Sequence, residues 1–439
     1  MPASSRSPST EDSNSLATAL DGLPLEQIAR SCGFLQRRPR KVHPGAFLQL
    51  CCLLALQTQV SLRAWACLWG LLTNLTLSKQ AMAKRCSPAA VTFVRTVLEC
   101  LLQRLITPAR QIPESLRHFA RVILQDSTTL ALHPKLAACF PGPRNQSQQP
   151  SAGLKIQVFY DLLSQRCLRF WLSPFTTNDQ KASPQILALA HRGDLIIRDL
   201  GYLVLEVLAQ AHRQGISFLS RWRHGIMLRD PHTGAPLDLL AELRRRGCWD
   251  TPVLLGQKER LHARLIAIAL PAPVAAERRR KALANRDRRL RPSKERLALL
   301  SWEIFITNVP PEIWSTRVVA ETYRLRWRIE ILFKAWKSHF RLGHFTNGSA
   351  SQIQLLIYGR LLWIALFKAA FLPPCAQAQP LSVLKLAAFS QDYMLFALLL
   401  LLPSPPDPSR LLSQIAYHCR SEPKRKRRPL LPSSLSPLS

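Results

Sequence analysis

The sequence predicts a mixed α/β chain, with a helical region in front, a strand-and-helix core split by a β-rich segment, and helices at the back. Three observations predict it. From Phe47 to Leu105 apolar residues recur at helical spacing almost throughout. Two short apolar runs, Phe119 to Asp126 and Asp194 to Asp199, have the length and bounds of buried strands, and each delivers an acid at its end. About 130 residues then separate Asp199 from the amphipathic stretch around Glu330, more than one crossover connection needs, and strand-like segments occupy them.

The chain has 439 residues, enough for two to four domains and a sizeable core. Lys and Arg number 60 against 27 acids, a net charge of +33. Such a balance argues against a neutral-substrate enzyme and implies a polyanion partner. A membrane surface is the competing polyanion, but no apolar run reaches the roughly 20 residues of a bilayer span. The longest clean run is Met394 to Leu402, and Leu355 to Phe371 contains Arg360 and Lys368. The start, MPASSRSPSTEDSNS, is not a secretion signal. Eleven cysteines show no Cys-x-x-Cys or Cys/His ligand spacing and read as buried thiols of a reducing cytoplasm. Serine-hydrolase, zinc-protease and Walker-type motifs are absent from the sequence.

Residues 1–21 are a Ser-rich leader that composition marks as disordered. Residues 22–112 form a helical region. Helices are expected at Pro24–Cys32, Phe47–Leu56 and Leu62–Leu72, then from a Ser78 cap to Arg85, and from Pro88 to Leu105. Short helices with basic residues between them suit a DNA-reading module, and equally a plain bundle. The basic cluster Arg37, Arg38, Arg40 and Lys41 is either solvated or touches phosphate.

Residues 113–214 read as the first part of the core. After the strand closing on Asp126 come a loop at Phe140–Gly153 and a hairpin, Leu154–Tyr160 with Cys167–Leu172, around the turn DLLSQR. A helix at Ser183–His191, the strand closing on Asp199, a turn eased by Gly201, and a helix at Val204–Arg213 complete it. An Asx cap is the alternative for Asp126. Asp161 sits at the hairpin turn and Asp194 at the wrong end of its strand.

Residues 215–300 are the β-rich segment, with strands at Ile216–Trp222, Gly225–Leu228 and Leu261–Leu270 and a turn at Pro231–Gly234. Arg278 to Arg296 holds ten Lys or Arg against two acids, a solvated face or a phosphate-contacting element. Residues 301–415 resume the core with the strand Trp302–Thr307 and a helix introduced by Pro311 and Glu312. Helices at Ser351–Phe371, Leu381–Ser390 and Tyr393–Leu402 follow. Residues 416–439 are a basic disordered tail containing Lys424 to Arg428.

Glu321 to Arg341, ETYRLRWRIEILFKAWKSHFR, reads as one helix. At about 100° per residue, Tyr323, Arg326, Glu330, Lys337 and Arg341 fall within roughly 60° of one another. Leu325, Ile329, Leu332, Phe333 and Trp336 form a neighbouring apolar arc. One carboxylate is thus gathered among cations and a phenol; ordinary Glu–Arg and Glu–Lys pairs on a solvated face give the same pattern.

The spacing Tyr323, two residues, Arg326, three residues, Glu330, six residues, Lys337 resembles the signature of the insertion-sequence-four family of bacterial DDE transposases, as do the WRIE and KAW strings. Asp126-Ser-Thr is similar to that family's first aspartate motif and Asp199-x-Gly-Tyr to its second. The resemblance covers about residues 20 to 400.

It implies an RNase-H-like catalytic core interrupted by a β-rich insertion, with a helical DNA-binding region in front. Asp126, Asp199 and Glu330 would be the catalytic acids and would hold two Mg2+ ions, with Mn2+ able to substitute, Asp126 bridging the pair. Carboxylate oxygens suit such hard cations. Tyr323, Arg326 and Lys337 would bind phosphate. Trp302 would stack on an extruded base, or else pack as an ordinary strand residue. The implied activity is cut-and-paste transposition: water nicks the element's end, the freed 3′-hydroxyl forms a hairpin on the opposite strand, and after opening it joins target DNA. The partners would be terminal inverted repeats and target DNA, bridged by a homodimer at the bacterial nucleoid in the cytoplasm, with no membrane. A silent, domesticated DNA-binding protein and a metal-dependent nuclease without strand transfer are the alternatives.

Overall fold

The computed structural model describes residues 22–36, 42–55, 61–104, 112–143, 149–284, 292–343 and 348–376, with Lys385 and Ala388. The expected leader, the Arg37–Lys41 cluster, the helices at Leu381–Ser390 (save for those two residues) and Tyr393–Leu402, and the basic tail lie outside the described residues.

Ahead of α6 Leu205–Arg213, α7 Leu239–Arg246, α8 Ala272–Leu283 and α9 Lys294–Leu299, five helices open the described chain: α1 Leu25–Ser31, α2 Pro44–Ala55, α3 Leu62–Thr73, α4 Lys79–Arg85 and α5 Pro88–Arg104. Their starts follow from local chemistry. The hydroxyls of Ser61, Ser78 and Ser87 accept from the backbone N–H of Ala64, Ala81 and Ala90, which satisfies donors that the first helical turn leaves orphaned. Phe93, Val94, Val97 and Leu101 of α5 are fully buried. They pack with the long α12, Ala350–Ala376, which also lies against α2. The stretch Ala350–Phe367 is long and apolar enough to cross a bilayer, but most of it is buried inside the protein. Cys67, Cys139 and Cys248 are exposed, contrary to the expectation of buried thiols, while Cys51, Cys52, Cys86 and Cys167 are buried.

Among the described residues, nine strands form one sheet in the order β3-β2-β1-β4-β5-β9-β8-β7-β6. They are β1 Val122–Leu132, β2 Ala152–Asp161, β3 Arg166–Pro174, β4 Leu195–Arg198, β5 Ser217–Arg221, β6 Leu228–Arg229, β7 Trp249–Leu255, β8 Leu261–Ala269 and β9 Trp302–Thr307. β1, β4 and β5 run parallel, and the other neighbours are antiparallel.

Three expectations are corrected. The first strand does not stop at Asp126. It continues to Leu132 because β2 pairs with it over its full length, from Ile123↔Asp161 to Leu132↔Ala152, whereas its parallel partner β4 stops at Gln125↔Arg198. The strands of the β-rich segment extend the core sheet, because β9 pairs with β5 on one side and β8 on the other. The Glu321–Arg341 stretch is two helices, α10 Thr316–Arg324 and α11 Trp327–Ser338. Bonds from the N–H of Leu325, Arg326 and Ile329 to carbonyls three residues back tighten the chain there. Arg341 lies beyond α11 at φ +51°. The expected helix at Ser183–His191 is a 3-10 segment at Ser183–Ala188, and a helix at Leu239–Arg246 appears that patterning did not single out.

The sheet is covered on both faces. One face presents Val122, Leu124, Leu195, Ile197 and Phe305 to the N-terminal helices and to α10–α12. The other presents Ile123, Ile196, Phe218 and Ile306 to helix Leu205–Arg213 and to helix Leu239–Arg246.

Candidate active site

Strand alternation decides which way the two aspartates point. Gln125 and Arg198 are register partners on β1 and β4, so Asp126 and Asp199 follow at the same level on adjacent parallel strands. Neighbouring strands lie about 4.8 Å apart. Gln125 and Arg198 share one face of the sheet and meet there, Arg198 Nη1 donating to Gln125 Oε1 at 3.3 Å. Asp126 and Asp199 therefore share the opposite face with Leu124 and Ile197, the face on which α11 packs through Ile329, Leu332, Phe333 and Trp336. β5 continues the row: Leu219 faces Ile197, which sets Arg221 level with Asp199.

α10 and α11 bring the third acid to this face. Arg326, at the tight turn between them, lies 3.5 Å from the Asp126 carboxylate and donates to Glu330 at 2.7 Å. The guanidinium is thus seated between two of the three acids. Tyr323 is buried one turn earlier, its ring 5.2 Å from Phe305 and under the Arg221 guanidinium at 5.3 Å. Its hydroxyl and Arg326 Nε are buried with no hydrogen-bond partner among the described residues. Arg221 in turn pairs with Glu303 of β9.

Burial pushes the Asp126 carboxyl up to about 6 from its ordinary 3.8; the Ser127 N–H, which donates to it at 2.8 Å, and Arg326 oppose the rise, while Asp199 and Glu330 add to it. Asp199 and Glu330 are therefore both in electrostatic reach of Asp126. Burial also pushes Tyr323 up to about 12. For Arg326 burial works against the charge, but Tyr323, Asp199 and Glu330 outweigh it and raise its affinity for the proton.

This is a hard-oxygen donor set whose carboxylates are held near one another with too little positive charge, and Arg326 already stands where a cation would be attracted. The chemistry of the set fits a divalent ion of the magnesium class. Among the described residues, however, no three Asp, Glu, His or Cys side chains converge closely enough to ligate one ion. Holding a metal requires Arg326 to move and the carboxylates to close.

The remaining candidates separate. Lys337, two turns beyond Glu330 on α11, is exposed. Trp302 stands at the same sheet edge as Asp199 but faces the other side with Ile304 and Ile306, and its indole N–H donates to the Gly247 carbonyl. Asp161 accepts from the backbone of Val122, Leu163 and Ser164, a turn role. Asp194 pairs with Arg121, away from the site. Gly201 keeps an ordinary φ, and a Cβ there would meet Asp179 only at van der Waals distance, so the turn does not require glycine. Sequence reasoning missed Arg221 and Arg198. The signal for Arg198 was a charge at the end of an otherwise apolar strand, whereas Arg221 ends a strand of mixed polarity that gave none.

Residues 117–366 match the family described as the transposase DDE domain. The chain is 29% identical over 399 residues to the transposase for insertion sequence element IS231E of Bacillus thuringiensis subsp. finitimus, covering 84% of this chain and 82% of that one. It is 29% identical to the IS231F transposase of Bacillus thuringiensis subsp. israelensis over 92% of this chain and 89% of the relative. The transposase of IS1151 from Clostridium perfringens is 26% identical over 81% of this chain and 79% of its own length. Among solved structures, the piggyBac transposase synaptic complex with hairpin DNA superposes with a TM-score of 0.44 at 10% identity, covering 95% of this chain and 88% of that one.

Proposed function

Since this chain belongs to the DDE transposase family, we propose that it moves an insertion sequence by cut-and-paste transposition, with Asp126, Asp199 and Glu330 as its catalytic acids. The observation that carries this reading is the meeting of the register-matched strands β1 and β4 with α11: two aspartates level on β1 and just beyond β4, and Glu330 tied to Asp126 through Arg326. The half-sheet β3-β2-β1-β4-β5, an antiparallel β3-β2-β1 meander followed by the parallel β4 and β5, supports an RNase-H-like core. Relatives described as transposases for insertion sequence elements support an element's own ends as the substrate.

In this reading Asp126, Asp199 and Glu330 hold two Mg2+ or Mn2+ ions. When bound, these activate the attacking oxygen, stabilise the leaving oxygen and neutralise phosphate charge. Arg326, drawn off Asp126 by the DNA backbone, binds phosphate near the scissile bond, and a planar fork suits that task. Tyr323 donates its unpaired hydroxyl proton to a phosphate oxygen, and Lys337 meets the strand from the exposed side of α11. Stacking of Trp302 on an extruded base requires its indole to leave Gly247. The order of steps carried over from the resemblance is a nick by water, hairpin formation by the freed 3′-hydroxyl, hairpin opening and joining to target DNA, within a homodimer that bridges two ends.

The test uses the full chain, Mg2+ and duplexes carrying the inverted repeats that flank the gene. Wild type should release ends and join them to a target plasmid. Asp126→Ala should bind the same duplex with unchanged affinity and cut it at least a thousandfold more slowly. Cleavage by Asp126→Ala at the wild-type rate sinks the assignment. Cutting without any joined product selects a nuclease, and binding without cutting by the wild type selects a silent DNA-binding protein.

A further inference from the structure

Behind the two aspartates, on the other face of the sheet, lies an arginine that the proposed chemistry does not use. Arg198 is 2% exposed and immediately precedes Asp199. Its Nη1 donates to the Ser183 hydroxyl at 2.8 Å, to the Ser183 carbonyl at 3.2 Å and to Gln125 Oε1 at 3.3 Å. Gln125, 1% exposed, immediately precedes Asp126 and donates on to the Ala182 carbonyl at 3.0 Å. Ser183 donates to the carbonyl of Tyr202, just beyond Asp199. Arg198 forms no ion pair among the described residues, and its Nη2 has no partner there. A buried charge left unpaired is costly, so its retention in an apolar strand calls for a compensating role.

The position supplies one. Gln125↔Arg198 is the last paired level of β1 and β4; beyond it β1 is held only by β2, and β4 ends. Nothing in the ladder sets how far apart the next two residues stand, and those residues are Asp126 and Asp199. Through Nη1, Arg198 ties the end of β4 to Gln125 of β1 and to Ser183, and Gln125 ties on to Ala182 at that level.

We propose that Arg198 is a positioning residue: it clasps the end of β4 to the middle of β1 from behind and fixes the spacing at which Asp126 and Asp199 take up a divalent cation. The inference rests on the metal-site reading above. A clasp that sets ligand spacing governs affinity for the ion, whereas a residue needed only for folding governs how many molecules bind it.

Mn2+ binding to the full chain on a flanking-repeat duplex, read by the electron paramagnetic resonance of free Mn2+, separates the two. Arg198→Met should keep duplex affinity and Mn2+ stoichiometry while weakening Mn2+ affinity at least tenfold, and its cleavage rate should recover as Mn2+ is raised. Arg198→Lys keeps the charge but not the position of Nη1 at the end of a planar guanidinium, and should fall short of wild type. Where Arg198→Met does not fold, Gln125→Met removes the acceptor alone and should weaken Mn2+ affinity in the same direction. Wild-type Mn2+ affinity in these variants, reduced stoichiometry at unchanged affinity, or full restoration by lysine overturns the clasp. Asp126→Ala is the separate arm: if it binds Mn2+ as wild type does, or if wild type binds none, the metal-site reading itself fails and takes the clasp with it. Loss in Asp126→Ala with wild-type affinity in Arg198→Met removes the clasp alone.

Discussion

Burial raises Asp126 to about 6, and two neighbouring acids help, against the pull of Ser127 and Arg326. The sign of the consequence is fixed by linkage. A carboxyl that binds its proton more tightly in the folded chain than in the unfolded one costs stability once it ionises. The cost is absent below the unfolded value near 3.8, grows as pH rises toward about 6, and is constant above it. The interval corresponds to roughly 3 kcal/mol. In metal-free protein, Asp126→Asn should therefore stabilise the fold by up to about that amount at pH 7.5 and by nothing at pH 3.5. Urea denaturation at the two pH values checks it, and an equal effect at both would show that Asp126 titrates normally. A divalent ion would relieve the same strain by supplying the missing charge, so added Mn2+ should stabilise wild type more than the Asn variant.

At the scale of elements, the third acid depends on how α10 is anchored. Arg264 of β8, nearly buried, holds Asp250 of β7 through Nε at 2.7 Å and a second bond through Nη2, and donates to the Trp314 carbonyl at 2.6 Å. The Thr316 hydroxyl at the start of α10 donates to the same Asp250 carboxylate. Strands from the β-rich segment thus clamp the helix that carries Tyr323 and leads to Glu330. Asp250→Ala leaves the Arg264 charge without its anion and should cost about 2–3 kcal/mol, less than a fully buried pair because Asp250 is partly exposed. Denaturant midpoints measure this, and an unchanged midpoint would remove the clamp. This clamp also marks where the sequence stops being legible. The acids at Asp126, Asp199 and Glu330 and the helix starts at Ser78 and Ser87 could be read locally, because strand ends, spacing and caps are local signals. The pairing of β9 with both β5 and β8 and the side of the sheet that Trp302 faces depend on partners distant in the chain. The continuation of β1 past Asp126 was hidden for the same reason, since Ser127 and the two threonines after it read as a turn until β2 is placed beside them.

At the scale of the whole molecule, the N-terminal helix α2 and the long C-terminal helix α12 meet backbone to backbone. Gly359 of α12 lies so close to α2 that a Cβ there would stand 2.5 Å from the Cys51 carbonyl oxygen and 3.0 Å from its carbon. Both obstacles are backbone, which cannot swing aside as a side chain would. α12 buries Leu355, Ile357, Leu361 and Leu362 in the core that also holds α5 and the site-bearing face of the sheet. Alanine favours a helix over glycine by up to about 1 kcal/mol. Forcing a methyl between two packed helices costs about 1–3 kcal/mol, and here the obstacle is a carbonyl, so the upper end applies and steric cost wins. Gly359→Ala should lower the melting temperature by several degrees. It should loosen the N-terminal helices first, because α2 is the element displaced, while β1 and β4 keep their own pairing. Hydrogen exchange resolves this: faster exchange in α2 and α12 with unchanged protection in β1 and β4 is expected, and a Gly359→Ala protein that melts at or above wild type would mean the helices are not in backbone contact. The consequence for function follows from the shared core, because α11, which carries Glu330, is packed on the same apolar face that α12 closes.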